Sequence, residues 1–190
     1  MSKIIVYELL TLDGVMQAPG RPDEDQRGGF EHGGWAVPYA AMQADRNNTA
    51  NTSLLLGRRT YEDFYAVWPQ RRDNSNTEVL NTTQKYVAST TLSEPLPWSN
   101  STLLSGDAAE SVARLKKELD TDLVVLGSRE LVHSLMRHNL IDVYVLLIHP
   151  LVLGSGSRLF TEDSVFTSLR LIDVKTTPTG VVIATYQSAE

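Results

Sequence analysis

The sequence predicts an α/β fold, a three-layer α/β/α sandwich whose central sheet is mostly parallel and carries antiparallel strands at its C-terminal end. Three observations predict it. Short apolar runs at residues 3–10, 53–56, 123–126 and 141–149 are separated by stretches with helical spacing. Two of these runs stop at a glycine, Gly57 and Gly127, and a helical pattern starts at once. Residues 169–177 and 181–187 alternate around Pro178, Thr179 and Gly180, the pattern of an antiparallel hairpin.

The chain of 190 residues is long enough for one good core, and residues 1–190 are expected to form a single domain. A formal charge of −6 and a pI of about 5.2 argue against a nucleic-acid backbone or an anionic membrane as partner, so any anion must be held locally. The absence of cysteine excludes a disulfide framework and thiol catalysis and removes the usual soft metal ligands, so no metal site is expected. The first apolar run is broken by Glu8 and Asp13, too early for a secretory signal, and no run approaches the roughly 18 apolar residues of a membrane span. A soluble, cytoplasmic protein is expected. Sequons at Asn47, Asn51, Asn81 and Asn100 are read as chance.

Residues 3–10 are apolar with little alternation, as in a central strand buried on both faces. Asp13 and Gly14 then signal a turn. Asp13 has two readings of equal weight, a turn carboxylate bonding its own backbone, or a polar group at the carboxyl end of a central strand where α/β sheets bind ligands. Residues 17–34, rich in Gly, Pro and charge, form a long loop, in which His32 is read as solvated and the flanking Trp35 as an anchor on the core. Pro38 suits a first helical turn, and Val37, Ala40, Ala41, Ala44 and Asn48 fall on one face of a helix running to about residue 51. Asp45, beside that stripe, is read as a solvated edge residue.

After the unit at residues 53–66 comes a polar segment, 70–83, with a helical turn at 76–81. Residues 84–88 form a strand ending in Ser89, Thr90 and Thr91, whose hydroxyls suit a turn cap. Residues 101–104 are a short strand. Asp107 and Glu110 have capping-box spacing ahead of Val112, Leu115 and Leu119, which predicts a helix over 107–120. A strand at 123–126 leads into a helix at 129–138 with Leu131, Leu135 and Met136 facing in. His133 and His138 belong to a solvated or partly buried face of it. Residues 141–149 are the strongest strand, ended by Pro150, and its unbroken apolar character predicts a homodimer contact. The following G-x-G-x-x-L pattern at residues 154–159 lacks the third small residue and the helix of a dinucleotide fingerprint, and is read as a loop.

The two Gly–Arg turns carry the functional argument. At Gly127, Ser128 and Arg129 the backbone can approach a ligand, the serine offers a hydroxyl and a cap, and the free N–H groups of the helix point outward. Arg129 sits where the helix dipole favours an anion. Gly57, Arg58, Arg59 and Thr60 repeat the design, although pairing of the arginines with Glu62 and Asp63 at i,i+4 explains part of it. Two such turns suggest an extended, multiply charged anion such as a dinucleotide.

In order, LLLGRRTYEDF with Trp68-Pro69, KYVASTTL, VVLGSREL and LIDVYVLLIHPLVLGSGSRLF resemble the dihydrofolate reductase-like family that contains the reductase domain of bacterial riboflavin biosynthesis, the RibD C-terminal domain. The resemblance spans residues 12–160. It implies NADPH bound at the strand ends, with Gly57, Arg58, Arg59 and Thr60 at its phosphates, Ser89 and Thr90 on the adenosine side, and Gly127, Ser128, Arg129 and Glu130 at the pyrophosphate. Asp13, Trp35, Tyr39 and Trp68 would border a small-molecule substrate, with Asp13 the candidate catalytic residue. Two departures qualify it. Thr90 stands where many relatives carry an arginine suited to a 2′-phosphate, which leaves NADH open. Ala41 occupies the place of the acidic residue of true dihydrofolate reductases, which disfavours folate and leaves a pterin-like, aminopyrimidine-like or carbonyl substrate. The alternative is a non-catalytic nucleotide- or metabolite-binding protein on the same fold.

Overall fold

Eight strands, β1 (Ile4–Thr11), β2 (Thr52–Gly57), β3 (Lys85–Ala88), β4 (Ser101–Leu104), β5 (Asp122–Leu126), β6 (Val143–His149), β7 (Leu169–Thr176) and β8 (Val182–Ser188), form one mixed sheet in the order β4-β3-β2-β5-β1-β6-β8-β7. The computed structural model describes residues 2–42, 51–71 and 75–189. Its helices are α1 (Arg58–Val67), α2 (Ser75–Thr82), α3 (Ala108–Glu118) and α4 (Arg129–Arg137). The expected architecture is the one found. β2 pairs in parallel with β3 and β5, and β3 with β4, whereas β8 runs antiparallel to both β6 and β7. The described residues fall into two compact units, one from residues 2–5 and 51–141, the other from residues 6–42 and 142–189.

In the first unit, β2 sends Leu54 and Leu56 into a cluster with Val87, Tyr61 of α1 and Trp98, while Leu55, on the opposite side of the strand, is also fully buried. This is the two-faced burial of a strand inside a parallel sheet. α3 starts as its capping box requires, with Asp107 Oδ1 accepting the Glu110 N–H at 2.9 Å, and buries Ala109, Val112 and Leu115. α4 buries Leu131, Leu135 and Met136 as expected and adds Val132, and each such side chain contributes about 1.5–3 kcal/mol.

α2 is longer than the turn expected at 76–81. Its end is fastened by Lys85, a residue read only as part of a strand. The Lys85 Nζ donates to the Leu80 and Thr83 carbonyls, both at 2.7 Å, and lies 4.5 Å from the Trp98 ring centre. Burial pulls the ammonium down to about 8. The aromatic side of this arrangement is fixed in turn, since Trp98 Nε1 donates to Asn81 Oδ1 at 2.7 Å and the Trp98 N–H donates to the Tyr61 hydroxyl at 3.0 Å.

In the second unit, Val15, Ala18, Phe30, Trp35 and Ala36 form a cluster joined by Leu9, Leu151 and Leu153. The long loop at 17–34 contains one 3-10 turn, Arg27–Gly29, and is organised by the buried amide of Gln17. Gln17 Nε2 donates to the Asp25 and Arg27 carbonyls at 3.2 and 3.0 Å, and its Oε1 accepts the Ser157 N–H at 2.9 Å. His32 is exposed, as expected.

One expectation changes in the part that is described. Within the helix expected from residue 38 to about 51, the described residues form the 3-10 turn Val37–Met42, in which Val37 is 55% exposed and Ala40 is exposed, so neither packs inward. Ala44, Asp45 and Asn48 lie outside the described residues. β6 pairs with β8 and has β1 as its other neighbour in the sheet order. Glu8, in the middle of β1, was read only as an interruption. It is 4% exposed, its Oε1 has no hydrogen-bond partner among the described residues, and burial holds its carboxyl well above the usual range.

Replacing Lys85 by Met keeps the volume and removes the only donors that the Lys85 side chain presents to the Leu80 and Thr83 carbonyls. The variant is expected to lose about 1–3 kcal/mol in urea denaturation, with a fall of several degrees in Tm. An unchanged midpoint would remove Lys85 from the account of how α2 is held.

Candidate functional site

The parallel register of β2 and β5, with Leu54 opposite Val124 and Leu55 opposite Val125, makes the two strands end side by side. The Gly57 and Gly127 turns therefore come together. Gly57 donates its N–H to Ser128 Oγ at 2.8 Å, and Ser128 Oγ donates to Thr60 Oγ1 at 2.9 Å. A Cβ on Gly57 would sit 3.1 Å from Ser128 Oγ, and one on Gly127 would sit 3.1 Å from Thr60 Oγ1. The glycines thus permit the two turns to approach each other. Gly127 and Ser128 both have left-handed backbone, φ 58° and 65°, which only the glycine adopts without strain.

Ser128 was expected to cap α4, and it does not. Its hydroxyl is used across the turns, and neither α1 nor α4 has a side-chain cap at its start. Both helix N-termini remain available in the chemical sense, as donors without a side-chain acceptor. The arginines are paired at the surface. Arg58 Nη1 lies 3.2 Å from Glu62 Oε2, the i,i+4 pair expected, and Arg129 Nη2 lies 2.7 Å from Glu130 Oε1. The Glu130 carboxyl is lowered by its hydrogen bond from Arg129, with charge contributions from Arg129, His133 and Arg59, so arginines from both turns act on one carboxylate. Both pairs are well exposed, where such contacts are worth about 0–1 kcal/mol.

Ser89 and Thr90 follow β3, the other parallel neighbour of β2. The Ser89 hydroxyl accepts the N–H groups of Thr91 and Leu92 at 3.1 and 3.0 Å, the capping role, while Thr90 is exposed. Trp68 is half-buried against the Leu54–Leu56–Tyr61 cluster, with the Arg71 guanidinium 4.9 Å from its ring centre.

In the second unit, Trp35 is buried and donates Nε1–H to the Gln17 carbonyl at 2.8 Å, which makes it the anchor expected. His149, at the end of β6, was not singled out from the sequence. It is fully buried, and the Trp35 and Tyr39 rings meet it edge-on at 5.1 and 5.3 Å, so His149 joins two of the residues the resemblance placed at the substrate. Burial lowers its pKa, and the Leu147 and Leu10 carbonyls at 2.9 and 3.2 Å from Nδ1 put the ring proton on that nitrogen. A histidine closing a buried strand before Pro150 was the only available signal.

Asp13 accepts from the Thr11 hydroxyl at 2.6 Å, from the Leu153 and Gly154 N–H groups at 3.2 and 2.8 Å, and from Arg158 Nη2 at 3.4 Å. Arg158 Nε also donates to the Asp13 carbonyl at 2.8 Å. Burial raises the carboxyl, but the hydrogen bonds outweigh it and bring Asp13 down to about 2. Both oxygens are engaged in joining the turn after β1 to the loop after β6, and at neutral pH the group carries no proton to give.

A family model described as the RibD C-terminal domain matches residues 2–183. Among curated proteins, the chain is 27% identical over 190 residues to the uncharacterized protein YyaP of Bacillus subtilis, covering 97% of this chain and 94% of that one. Among solved structures it is similar to a putative riboflavin biosynthesis protein from Shewanella sp. PV-4, with TM-score 0.71, 19% identity and 99% of each chain covered. It also resembles the Thermotoga maritima diaminohydroxyphosphoribosylaminopyrimidine deaminase/5-amino-6-(5-phosphoribosylamino)uracil reductase, with TM-score 0.60, 15% identity, and 99% of this chain on 57% of that one. The likeness extends to dihydrofolate reductase from Enterococcus faecalis in complex with NADP(H), with TM-score 0.56, 14% identity, and 99% and 97% covered. At these identities the solved structures speak for the fold.

The depressed Asp13 carboxyl contributes stability that is fully present above its unfolded value of about 3.8 and lost as pH falls through about 2. Asp13→Asn is expected to cost about 1–3 kcal/mol at pH 7. Chemical denaturation at several pH values should show the gap between wild type and variant closing from pH 4 to pH 2. A gap that stays constant with pH would contradict the pairing described.

Proposed function

Because this chain belongs to the RibD C-terminal domain family, we propose that it is a nicotinamide-dependent reductase acting on a small heteroaromatic, pterin- or aminopyrimidine-like, or carbonyl substrate. The observation that carries the reading is the locked pair of turns at Gly57 and Gly127, which joins two helix starts without side-chain caps and three arginines, Arg58, Arg59 and Arg129. Such an arrangement suits a polyphosphate, held by backbone N–H groups and guanidinium forks. Arg58, Arg59 and Thr60 take the phosphates on this reading, and Gly127 to Glu130 the pyrophosphate. The arginines exchange their exposed carboxylate partners for phosphate at little cost, since those pairs contribute about 1 kcal/mol or less. The Thermotoga and Enterococcus proteins, named for a reductase activity and an NADP(H) complex, support this assignment by analogy. NADPH is the cofactor proposed, with NADH the alternative because Thr90 presents no cation.

When bound, the cofactor supplies the hydride. The chain's own residues orient and enclose. Trp35 and Tyr39, fixed by His149, border the substrate on this reading, and Trp68 is assigned the same role from the resemblance. Asp13, ionised at neutral pH, positions the two loops that it ties, and the proton that completes reduction comes from water. That same ionisation favours one rival reading, a nucleotide- or metabolite-binding protein that keeps the fold without a proton donor. Residues 1–190 are proposed to form a single domain.

Arg58→Ala and Arg129→Ala are each expected to weaken NADPH binding roughly tenfold, about 1.4 kcal/mol, in calorimetry. Unchanged affinity in both variants would sink the two-turn site. Stopped-flow oxidation of bound NADPH against pterins, ribityl-substituted aminopyrimidines and quinones is expected to give a single-turnover decay with one class. Tight binding with no decay for any of them favours the binding protein.

A further inference from the structure

The hydroxyls that join the Gly57 and Gly127 turns have protons with a direction. Ser128 Oγ accepts the Gly57 N–H at 2.8 Å, and its own proton has two acceptors within reach, Thr60 Oγ1 at 2.9 Å and the Leu126 carbonyl at 3.4 Å. A hydroxyl-to-oxygen bond is normally about 2.5–3.0 Å long, so the proton goes to Thr60. The order is then fixed from end to end. Gly57 donates to Ser128, Ser128 donates to Thr60, and the Thr60 hydroxyl, already serving as an acceptor, has its one proton left to give.

The fold does not claim that proton. A helical threonine can donate to the carbonyl three or four residues back, but the Thr60 hydroxyl, in the first turn of α1, makes no hydrogen bond among the described residues except the one it accepts from Ser128. Space is left beside it as well. A Cβ on Gly127 would stand 3.1 Å from Thr60 Oγ1 and 3.3 Å from its Cγ2, and glycine keeps that position clear. Each donor in such a chain polarises the next, which makes the last O–H a stronger donor than an isolated hydroxyl.

We propose that Ser128 is a positioning residue for the cofactor phosphates, acting through Thr60: it spends its own proton to hold the Thr60 hydroxyl as a donor. The group received there is an oxygen that only accepts, which an ionised diphosphate supplies. The Ser128 hydroxyl itself does not reach the ligand, because its proton and its acceptor site are both used between the turns. This explains a serine at φ 65°, where glycine would sit without strain. The inference rests on the cofactor reading and adds to it a residue that works at one remove.

Calorimetry with NADPH on the full chain tests it. Ser128→Gly is expected to bind roughly tenfold more weakly, with a Tm within about 3 °C of wild type, since relief of the left-handed serine offsets the hydrogen bonds lost. Thr60→Val should lose as much, and Thr60→Ser, which keeps the hydroxyl, should recover the affinity. Adding Ser128→Gly to Thr60→Val should cost nothing further. Inorganic pyrophosphate should show the same pattern. Equal NADPH binding by wild type, Ser128→Gly and Thr60→Val overturns the relay and leaves the cofactor reading standing. A loss on Ser128→Gly that is undiminished with Thr60→Val in place also overturns it, because the two hydroxyls would then act independently. So does a fall of more than about 10 °C in the Tm of Ser128→Gly, which would make the hydroxyl a structural tie. A wild-type chain that binds neither NADPH nor NADH removes the cofactor reading and the relay with it.

Discussion

The candidate cofactor site depends on the parallel pairing of β2 with β5. Because Leu54 and Leu55 lie opposite Val124 and Val125, both strands exhaust their hydrogen bonding at the same level, and their following turns must share space. Ser128 resolves the crowding. Holding a non-glycine residue at φ 65° costs about 1–2 kcal/mol, and its two hydrogen bonds, with the Gly57 N–H and the Thr60 hydroxyl, return about 0.5–1.5 kcal/mol each. The terms nearly cancel. What Ser128 supplies is therefore less stability than register, since the hydroxyl ties one helix start to the other and spends on this the group that would have capped α4.

Asp13 illustrates how two readings of equal weight from sequence separate once partners are known. A turn carboxylate bonding only its own backbone would leave one oxygen for chemistry. Here the partners come from 140 residues away, at Leu153, Gly154 and Arg158, and take both oxygens. The same contacts that bring the carboxyl to about 2 deprive it of a proton near neutrality. Its contribution is geometric, and it acts on the loop carrying Gly154 and Gly156, which the sequence had presented as a loop short of a dinucleotide fingerprint.

Most of the fold was legible because it is written locally. Periodicity placed β6, α3 and α4 within a few residues, Asp107 and Glu110 announced the start of α3, and Pro178 to Gly180 announced the hairpin. The two Gly–Arg turns were legible for the same reason. What was not legible depends on contacts between distant segments. Lys85 looked like a strand residue until the end of α2 and Trp98 were seen around it. Gln17 looked like loop filler although it orders the loop, and His149 had no local mark of its meeting with Trp35 and Tyr39. Of the stripe expected on the helix after Trp35, Val37 and Ala40 are the members whose side chains are described, and both face outward, since small residues at helical spacing carry little burial energy to enforce an orientation.

The bulge in β7 joins these threads. A period of two over Leu169 to Thr176 was read correctly as a strand, yet one residue too many separates its two halves, and a slip of one residue sends every later side chain to the other face. Without the bulge, Val174 would share a face with Arg170 while Asp173 and Lys175 would be carried on the side of Tyr186 and Ala184, where Tyr144 and Leu146 of β6 lie buried. Taking up Ile172 as the extra residue costs one unpaired ladder position, about the net value of a hydrogen bond, roughly 1 kcal/mol. In return Leu171 and Val174 both stand on the side of Tyr186 and Ala184, and the three charged residues of the strand stand together on the other.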